Sequence, residues 1–288
     1  MIPISKLKQN LDFNKNLNEV IEVMKLAATL QFNQFRLSHE PFVEFNTSLE
    51  NIIGFILQQK TQNIFLKQSK REQLPAAIIL VSSDEGFLGE LNAVLVNRLI
   101  EKMRAGDHIF VVGKQGEEYL NELMIHFSLL PPLKDKLEFS QIAVFRDEVF
   151  ALYAKGMISS VSVIYSRFVN LTSQQVESEI LLPLSDALSA QVIGNKSPVY
   201  KGDFLFEPDL GAAVEGWVKL WLNFRLFQIF GLSKLAELAA RIMHLEGSIQ
   251  ELNKVNQNLK LDYFKYLHGL SDKTIREIYA SRLVKNIG

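Results

Sequence analysis

The chain has 288 residues, 48% of them hydrophobic and 22% charged, enough apolar material to bury a sizeable core and to exclude wholesale disorder. Its 31 Lys and Arg against 32 Asp and Glu leave a formal charge of −1, so no nucleic-acid partner is expected, because neutralising phosphates takes a basic excess. It contains no cysteine, which excludes disulfides, Cys-ligated zinc, iron–sulfur clusters and thiol catalysis.

The first element is a long amphipathic helix. No Gly or Pro interrupts Ser5 to Glu40, and Leu17, Val20, Ile21, Met24, Ala27 and Ala28 recur at three- and four-residue spacings that put them on one stripe. The opening residues carry Lys6 and Lys8 with no apolar stretch behind them, so no secretory signal is expected. Pro41 ends or kinks the helix, since it lacks an amide hydrogen and crowds the preceding turn. Helical periodicity resumes at Phe42, Phe45, Leu49, Ile52, Ile53 and Ile56, and the polar run Gln58 to Gln73 reads as a fraying end or a loop.

The period then changes. Ala76 to Ser82 is a compact apolar run of strand length, suited to a strand buried on both faces and far shorter than the ~20 residues of a membrane span. The turn Ser83-Asp84-Glu85-Gly86-Phe87-Leu88-Gly89 leads into a helix containing Leu91, Val94, Leu95, Leu99 and Met103. A strand over His108 to Gly113, helices over Gly116 to Leu123 and Gln141 to Ala154, and a strand over Ser160 to Phe168 follow. Strands alternating with helices imply a doubly wound α/β domain, with a parallel or mixed sheet between helix layers, over about residues 75–200.

In the last third, Pro208 stands where a first helical turn tolerates it, with Glu207 and Asp209 suited to the positive end of the helix dipole. Trp217, Trp221 and Phe224 share a face and are expected to pack on the globular domain, and Gly211, Gly216 and Gly231 allow close packing or bending. From Leu235 the positions Leu238, Ile242, Leu245, Ile249, Leu252, Asn256, Leu259, Tyr263, Tyr266 and Leu270 advance by alternating steps of three and four, all apolar except Asn256. This is a heptad stripe about 54 Å long at ~1.5 Å per residue. Such a stripe needs a partner. The N-terminal stripe is available within the chain for an antiparallel coiled coil, and a second copy of the chain is the alternative.

Residues 1–36 and 233–288 each carry a basic excess that the acidic middle opposes, so the two ends face something acidic or present solvated helix faces. The Asp84–Gly89 turn lies where a phosphate loop would sit, but Asp84, Glu85 and Glu90 would repel polyphosphate, and its spacing matches neither GxGxxG nor GxxxxGK[ST]. Gly113-Lys114-Gln115-Gly116 also lacks the Walker spacing. His39, His108, His126, His244 and His268 are scattered, with no HExxH, no GxSxG and no clustered carboxylates. No catalytic, cofactor-binding or metal-ligating residue is therefore assigned. A nucleotide-dependent α/β enzyme and a coiled-coil scaffold or tether remain the other classes.

In order along the chain, these segments resemble the gamma subunit of F-type rotary ATP synthases over nearly the full length. Leu7, Leu11, Lys15-Asn16, Val20, Met24 and Ala28 are similar to that family's opening helix, and Ser83-Asp84-x-Gly86-Phe87-Leu88-Gly89-x-x-Asn92 to its S-D-x-G-L-C-G-x-x-N turn. Gly113-Lys114-x-Gly116, Ile164-Tyr165-x-x-Phe168, Leu181-Leu182-Pro183 and Phe206-Glu207-Pro208 follow in the family order, and Glu237, Ala239-Ala240 and Arg241 resemble its S-E-x-A-A-R-M segment. The closing signature I-T-x-E-I-x-E-I-x-x-G-A survives only as Ile275, Glu277 and Ile278, with Asp272, Thr274 and Ser281-Arg282 in place of other positions, which marks a divergent member.

The resemblance implies an N-terminal shaft helix over 1–57, a globular α/β foot over 75–200 and a C-terminal shaft helix over 207–286. It implies a non-catalytic central-stalk rotor that couples ion-driven rotation of a membrane ring to ATP synthesis or hydrolysis in a catalytic ring. Lys15, Met24, Glu237, Arg241, Ile275, Glu277 and Ile278 would meet that ring, and Asp84, Gly86, Gly89 and Asn92 would form the turn motif of the foot. The implied partners are the catalytic and nucleotide-binding subunits, a small foot subunit and the membrane rotor ring. The implied location is peripheral, on the cytoplasmic side of the inner membrane. If Met24 lies beside Ile242, as the resemblance suggests, Leu17 falls near Ile249 and Leu7 near Leu259, and residues beyond about Asp262 project as a single helix.

Overall fold

The computed structural model describes residues 4–39, 65–66, 73–133, 137–184 and 209–285. The expected kink at Pro41, the helical pattern from Phe42 to Ile56, most of the polar run before Gln73 and the Phe206-Glu207-Pro208 landmark lie outside the described residues.

The described elements are α1 (Ile4–His39), β1 (Ala77–Val81), α2 (Leu91–Lys102), β2 (His108–Val112), α3 (Lys114–Glu122), β3 (Ser128–Leu129), α4 (Phe139–Ala154), β4 (Val161–Asn170), β5 (Ser173–Leu182) and α5 (Leu210–Lys285). The strands form one sheet in the order β3-β2-β1-β4-β5. β1 runs parallel to both β2, with Ala77 opposite His108, and β4, with Leu80 opposite Ile164. β5 folds back antiparallel on β4. The architecture is thus a doubly wound α/β domain inserted between long N- and C-terminal helices. Two strands go beyond the sequence expectation. β3 is only two residues long, and β5 is mostly polar because it is an edge strand with little of its surface in the core.

Alternation along the central strands divides the core in two. Ile78, Leu80, Ile109, Val111 and Ile164 face Leu95, Val96 and Leu99 of α2 and Leu120 of α3. Ala77, Ile79, Val81, Phe110, Val112, Val163 and Tyr165 face Ile142, Phe145, Val149 and Tyr153 of α4 and Val214, Val218, Trp221 and Phe230 of α5. Every residue of β1 is buried because helices cover both faces. Trp221 is enclosed, and Trp217 and Phe224 pack at the margin of the same cluster, as their shared face predicts.

The chain divides into two compact units, Met1–Ala28 with Ile242–Gly288, and Thr29–Arg241. The first is an antiparallel helix pair. Asn14 Nδ2 donates to Asn256 Oδ1 at 3.0 Å and Lys25 Nζ to Glu246 Oε2 at 2.7 Å, so advancing along α1 retreats along α5. On α5 the heptad positions from Leu245 to Tyr266 are all buried or half-buried. The pairing lies about one helical turn beyond the register expected: the groove beside Leu7 is lined by Asp262, Tyr266, Gly269 and Leu270 rather than Leu259. From His268 to Ser281 every residue of α5 is exposed.

The stripe expected on α1 is only partly the buried one. Ile21, Met24 and Ala28 are buried or half-buried, whereas Leu17, Val20 and Ala27 face outward. The helix is apolar on more than one face: Phe13, Val23, Leu26 and Leu30 are also exposed. Counting apolar positions cannot choose among such faces. Polar side chains that find partners, Asn14 and Lys25, mark the face that is used.

Candidate functional site

In open α/β sheets, ligands enter at the carboxyl ends of the strands where the strand order reverses. Here the reversal lies between β1 and β4, so the site is built from the segment after Val81, the end of β4 and whatever covers them. Among the described residues, the protein's own groups occupy this crevice.

Ser82 Oγ donates to Val112 O at 2.7 Å and accepts from Gly116 N at 2.9 Å. This contact explains the two glycines. Gly113 sits at φ +98°, where a Cβ would lie 2.3 Å from Ser82 O, and a Cβ on Gly116 would lie 2.5 Å from Ser82 Oγ. Lys114 N donates to Asp84 Oδ1 at 3.2 Å and Gln115 N to Ser83 O at 3.0 Å. The first three amides of α3, the groups that would cradle a phosphate, are therefore spent on the turn after β1.

That turn is fixed from within. Buried Asn92 accepts from Ser83 N at 3.3 Å and donates to Ser83 Oγ at 2.8 Å, and Ser83 Oγ donates to Glu85 O at 2.8 Å. Gly89 takes φ +60°, and Phe87, exposed at the tip, takes φ +63°, a conformation costly for an aromatic residue. Gly86 needs no such freedom and has open space around it. Asp84, Gly89 and Asn92 are thus structural parts of one turn.

From the other side, α5 closes the crevice. Ser233 Oγ lies 3.2 Å from Ser166 Oγ, just past the end of the β1–β4 ladder. A cavity of about 10 Å³ remains between Val81, Ser82, Asp84, Leu133, Ser233, Lys234 and Glu237, room for a single water. Arg241 Nη2 donates to Glu237 Oε1 at 2.8 Å, Arg241 Nη1 meets Glu85 Oε2 at 2.8 Å, and Lys234 lies 3.3 Å from Glu237. Burial raises the Glu237 carboxyl above its ordinary pKa, and the charges of Lys234 and Arg241 oppose that rise.

A second polar cluster links the β4–β5 hairpin to α5. Arg225 donates to both oxygens of Glu179, at 2.6 and 2.7 Å, and Tyr165 OH donates to Glu177 at 3.1 Å. Burial, followed by the Glu179 charge, raises the Tyr165 phenol well above its usual range. The arrangement is an ion-pair network that fastens helix to sheet.

The remaining sequence-predicted residues belong to the helix pair. Lys15 is exposed and loosely paired with Glu19 at 3.9 Å. Met24 is half-buried. Ile275 and Ile278 are exposed, with Glu277 beside Lys273 at 3.9 Å. Only Glu237 and Arg241 are brought into direct contact, and their unforeseen companion is Glu85. In the sequence its acidity speaks only against phosphate binding, because nothing there pairs a turn near residue 85 with a helix near residue 241. Among the described residues, no group of His, Asp and Glu could hold a metal ion, and no helix is long and apolar enough to cross a membrane.

A family model described as ATP synthase matches residues 4–266. The ATP synthase gamma chain of Mycoplasmopsis synoviae is 26% identical over 295 residues, covering 99% of this chain and 100% of that one. The gamma chain of Clostridium beijerinckii is 22% identical, covering 98% of each. Among solved structures, a chain of the Euglena gracilis mitochondrial ATP synthase rotor is similar with a TM-score of 0.67 at 17% identity, covering 93% of this chain and 98% of that one. A chain from the OSCP/F1/c-ring structure of the same enzyme gives a TM-score of 0.69 at 16% identity, covering 99% and 95%. With the family model matched along most of its length and relatives aligned end to end, the chain belongs to the ATP synthase family, as a divergent member of its gamma chains.

Proposed function

We propose that this chain is the central-stalk rotor subunit of a rotary ATPase, the part that turns inside a catalytic ring and joins its ATP chemistry to ion flow through a membrane ring. The observation that carries this reading beyond family membership is the helix pair. Past the start of α1, α5 continues with Ile275, Ile278 and Tyr279 exposed, and leaving a large apolar side chain in water forgoes ~1.5–3 kcal/mol of burial. A surrounding sleeve supplies that burial without fixing the helix at one angle. Lys15, Met24, Ile275, Glu277 and Ile278 are the residues assigned to the ring. Glu237 and Arg241, buried and paired within the chain, act by holding α5 in place.

In this account residues 1–57 and 207–286 form the shaft and 75–200 the foot, which meets a small foot subunit and the membrane rotor ring. The chain is peripheral to the membrane, on its cytoplasmic side, and has no catalytic residue of its own. The filled crevice supports this, because the amides and space that a nucleotide would use are taken. Isothermal titration of the isolated chain with ATP should show no binding. Micromolar binding that disappears in Lys114→Ala would contradict the non-catalytic assignment.

Co-expression with the catalytic and nucleotide-binding subunits of an F-type ATPase from the same organism tests the rotor assignment. The chain should co-purify with them, and amides 271–281 should exchange fast in the isolated chain and slowly in the complex. A chain that self-associates and leaves those subunits behind would be a scaffold instead.

A further inference from the structure

We propose that Glu85 is a positioning residue for coupling: acting through Arg241, it fixes the rotation of α5 about its own axis against the α/β unit. The proposal rests on the rotor reading and adds a named clamp to it.

Arg241 is the last residue of the α/β unit, and the same helix continues with Ile242. Its guanidinium is held by two carboxylates, each 2.8 Å from a different Nη. They are not equivalent. Glu237 stands one turn back on the same helix, so its bond to Arg241 cannot tie that helix to anything else. Glu85 comes from the turn after β1 and makes the tie. That turn is a firm anchor, because Asn92 holds Ser83, and Asp84 accepts from Lys114 N.

The apolar packing of Val214 to Phe230 and the Arg225–Glu179 ion pair hold the earlier part of α5 to the sheet, but they lie about three turns or more before Arg241, where the helix leaves the α/β unit and has still to be held against turning. A charge-assisted hydrogen bond from a planar guanidinium is directional and does resist it. The exposures are also unequal: the Arg241 side chain is 7% exposed and that of Glu85 71%. The buried half is fixed by the core, and the outer half can be altered without disturbing it. At this end of the α/β unit a twisting load in α5 therefore reaches the turn after β1 through a bond whose outer partner is exposed.

The test uses the assembled ATPase carrying the wild-type chain, Glu85→Gln, Glu85→Asp or Glu85→Arg, with hydrolysis and ion transport measured on the same preparation. Glu85→Gln should assemble, with the isolated chain melting close to wild type, yet transport several-fold fewer ions per ATP hydrolysed. Glu85→Asp should recover most of the ratio, and Glu85→Arg should be worse than Glu85→Gln. An unchanged ratio in Glu85→Gln overturns the proposal, as does a loss that Glu85→Asp does not recover or that merely follows loss of folded protein. Hydrogen exchange on the isolated chain separates the two readings. A wild-type chain that fails to assemble overturns the rotor assignment, and faster exchange at 237–245 in Glu85→Gln would still support the clamp, whereas unchanged exchange would remove it too.

Discussion

Asn14 and Asn256 meet side chain to side chain across the antiparallel helix pair, Nδ2 to Oδ1 at 3.0 Å. Asn256 is the one polar member of an otherwise apolar heptad stripe, and its partner is polar too. In a seam of this kind an asparagine pair costs stability and favours the register in which the two amides meet, because each is left unsatisfied when the other is removed. Asn14→Leu alone should therefore destabilise the chain by about 1–2 kcal/mol by stranding Asn256. Asn14→Leu with Asn256→Leu should melt higher than wild type and pair less selectively. The chain has no cysteine, so a pair introduced at Leu11 and Leu259 reports register directly. Oxidation should link them within one chain in wild type, whereas the double-leucine variant should also yield slipped or intermolecular products.

Two glycines placed differently should respond with opposite signs. Gly113→Ala puts a Cβ 2.3 Å from a backbone oxygen at φ +98°, and should cost more than about 2 kcal/mol of stability. Gly216, in α5, has open space around it, so Gly216→Ala should be neutral or stabilise by up to ~1 kcal/mol through helix propensity. Thermal melts of the two variants check both signs.

Acid should act on the helix pair through Glu246. The hydrogen bond from Lys25, then that from Gln250, lowers its pKa from the ordinary 4.5. A lowered folded-state pKa means that the stabilisation is present above the unfolded value and is lost as pH falls through the folded one. The melting difference between wild type and Glu246→Gln should accordingly be present at neutral pH and vanish on acidification below the usual carboxylate range. Glu237 has the opposite sign. Its raised pKa makes its ionisation a cost to folding that grows as pH rises from the ordinary carboxylate value through the folded one, and a pH series of melts on Glu237→Gln should lack that slope.

Much of this architecture was legible in the residues. β1, β2 and β4 were found as short apolar runs because each lies under helices on both faces, and α5 was legible from Leu235 to Tyr266 because its seam is apolar except at Asn256. β5 was not, since an edge strand with Ser, Gln and Glu at most positions carries little hydrophobic signal. The face of α1 is not legible at Leu17, Val20 and Ala27, because that helix is apolar on several sides and its seam is marked by Asn14 and Lys25, whose value depends on partners more than two hundred residues away. The register was off by about one turn for the same reason. At the crevice, the glycines at 113 and 116 are visible in the sequence, but Ser82, which makes them necessary, carries no local signal there. The Glu85–Arg241 bond has no local signature at all.

The central claim is that the chain turns. A complex containing it, fixed to a surface through the catalytic ring and carrying a bead on a single cysteine introduced in the α/β unit at Glu101, which is exposed, allows this to be watched during ATP hydrolysis. The account predicts continuous rotation in one direction, stopping when ATP is withdrawn. A complex that hydrolyses ATP while the bead only fluctuates about a fixed angle would contradict it.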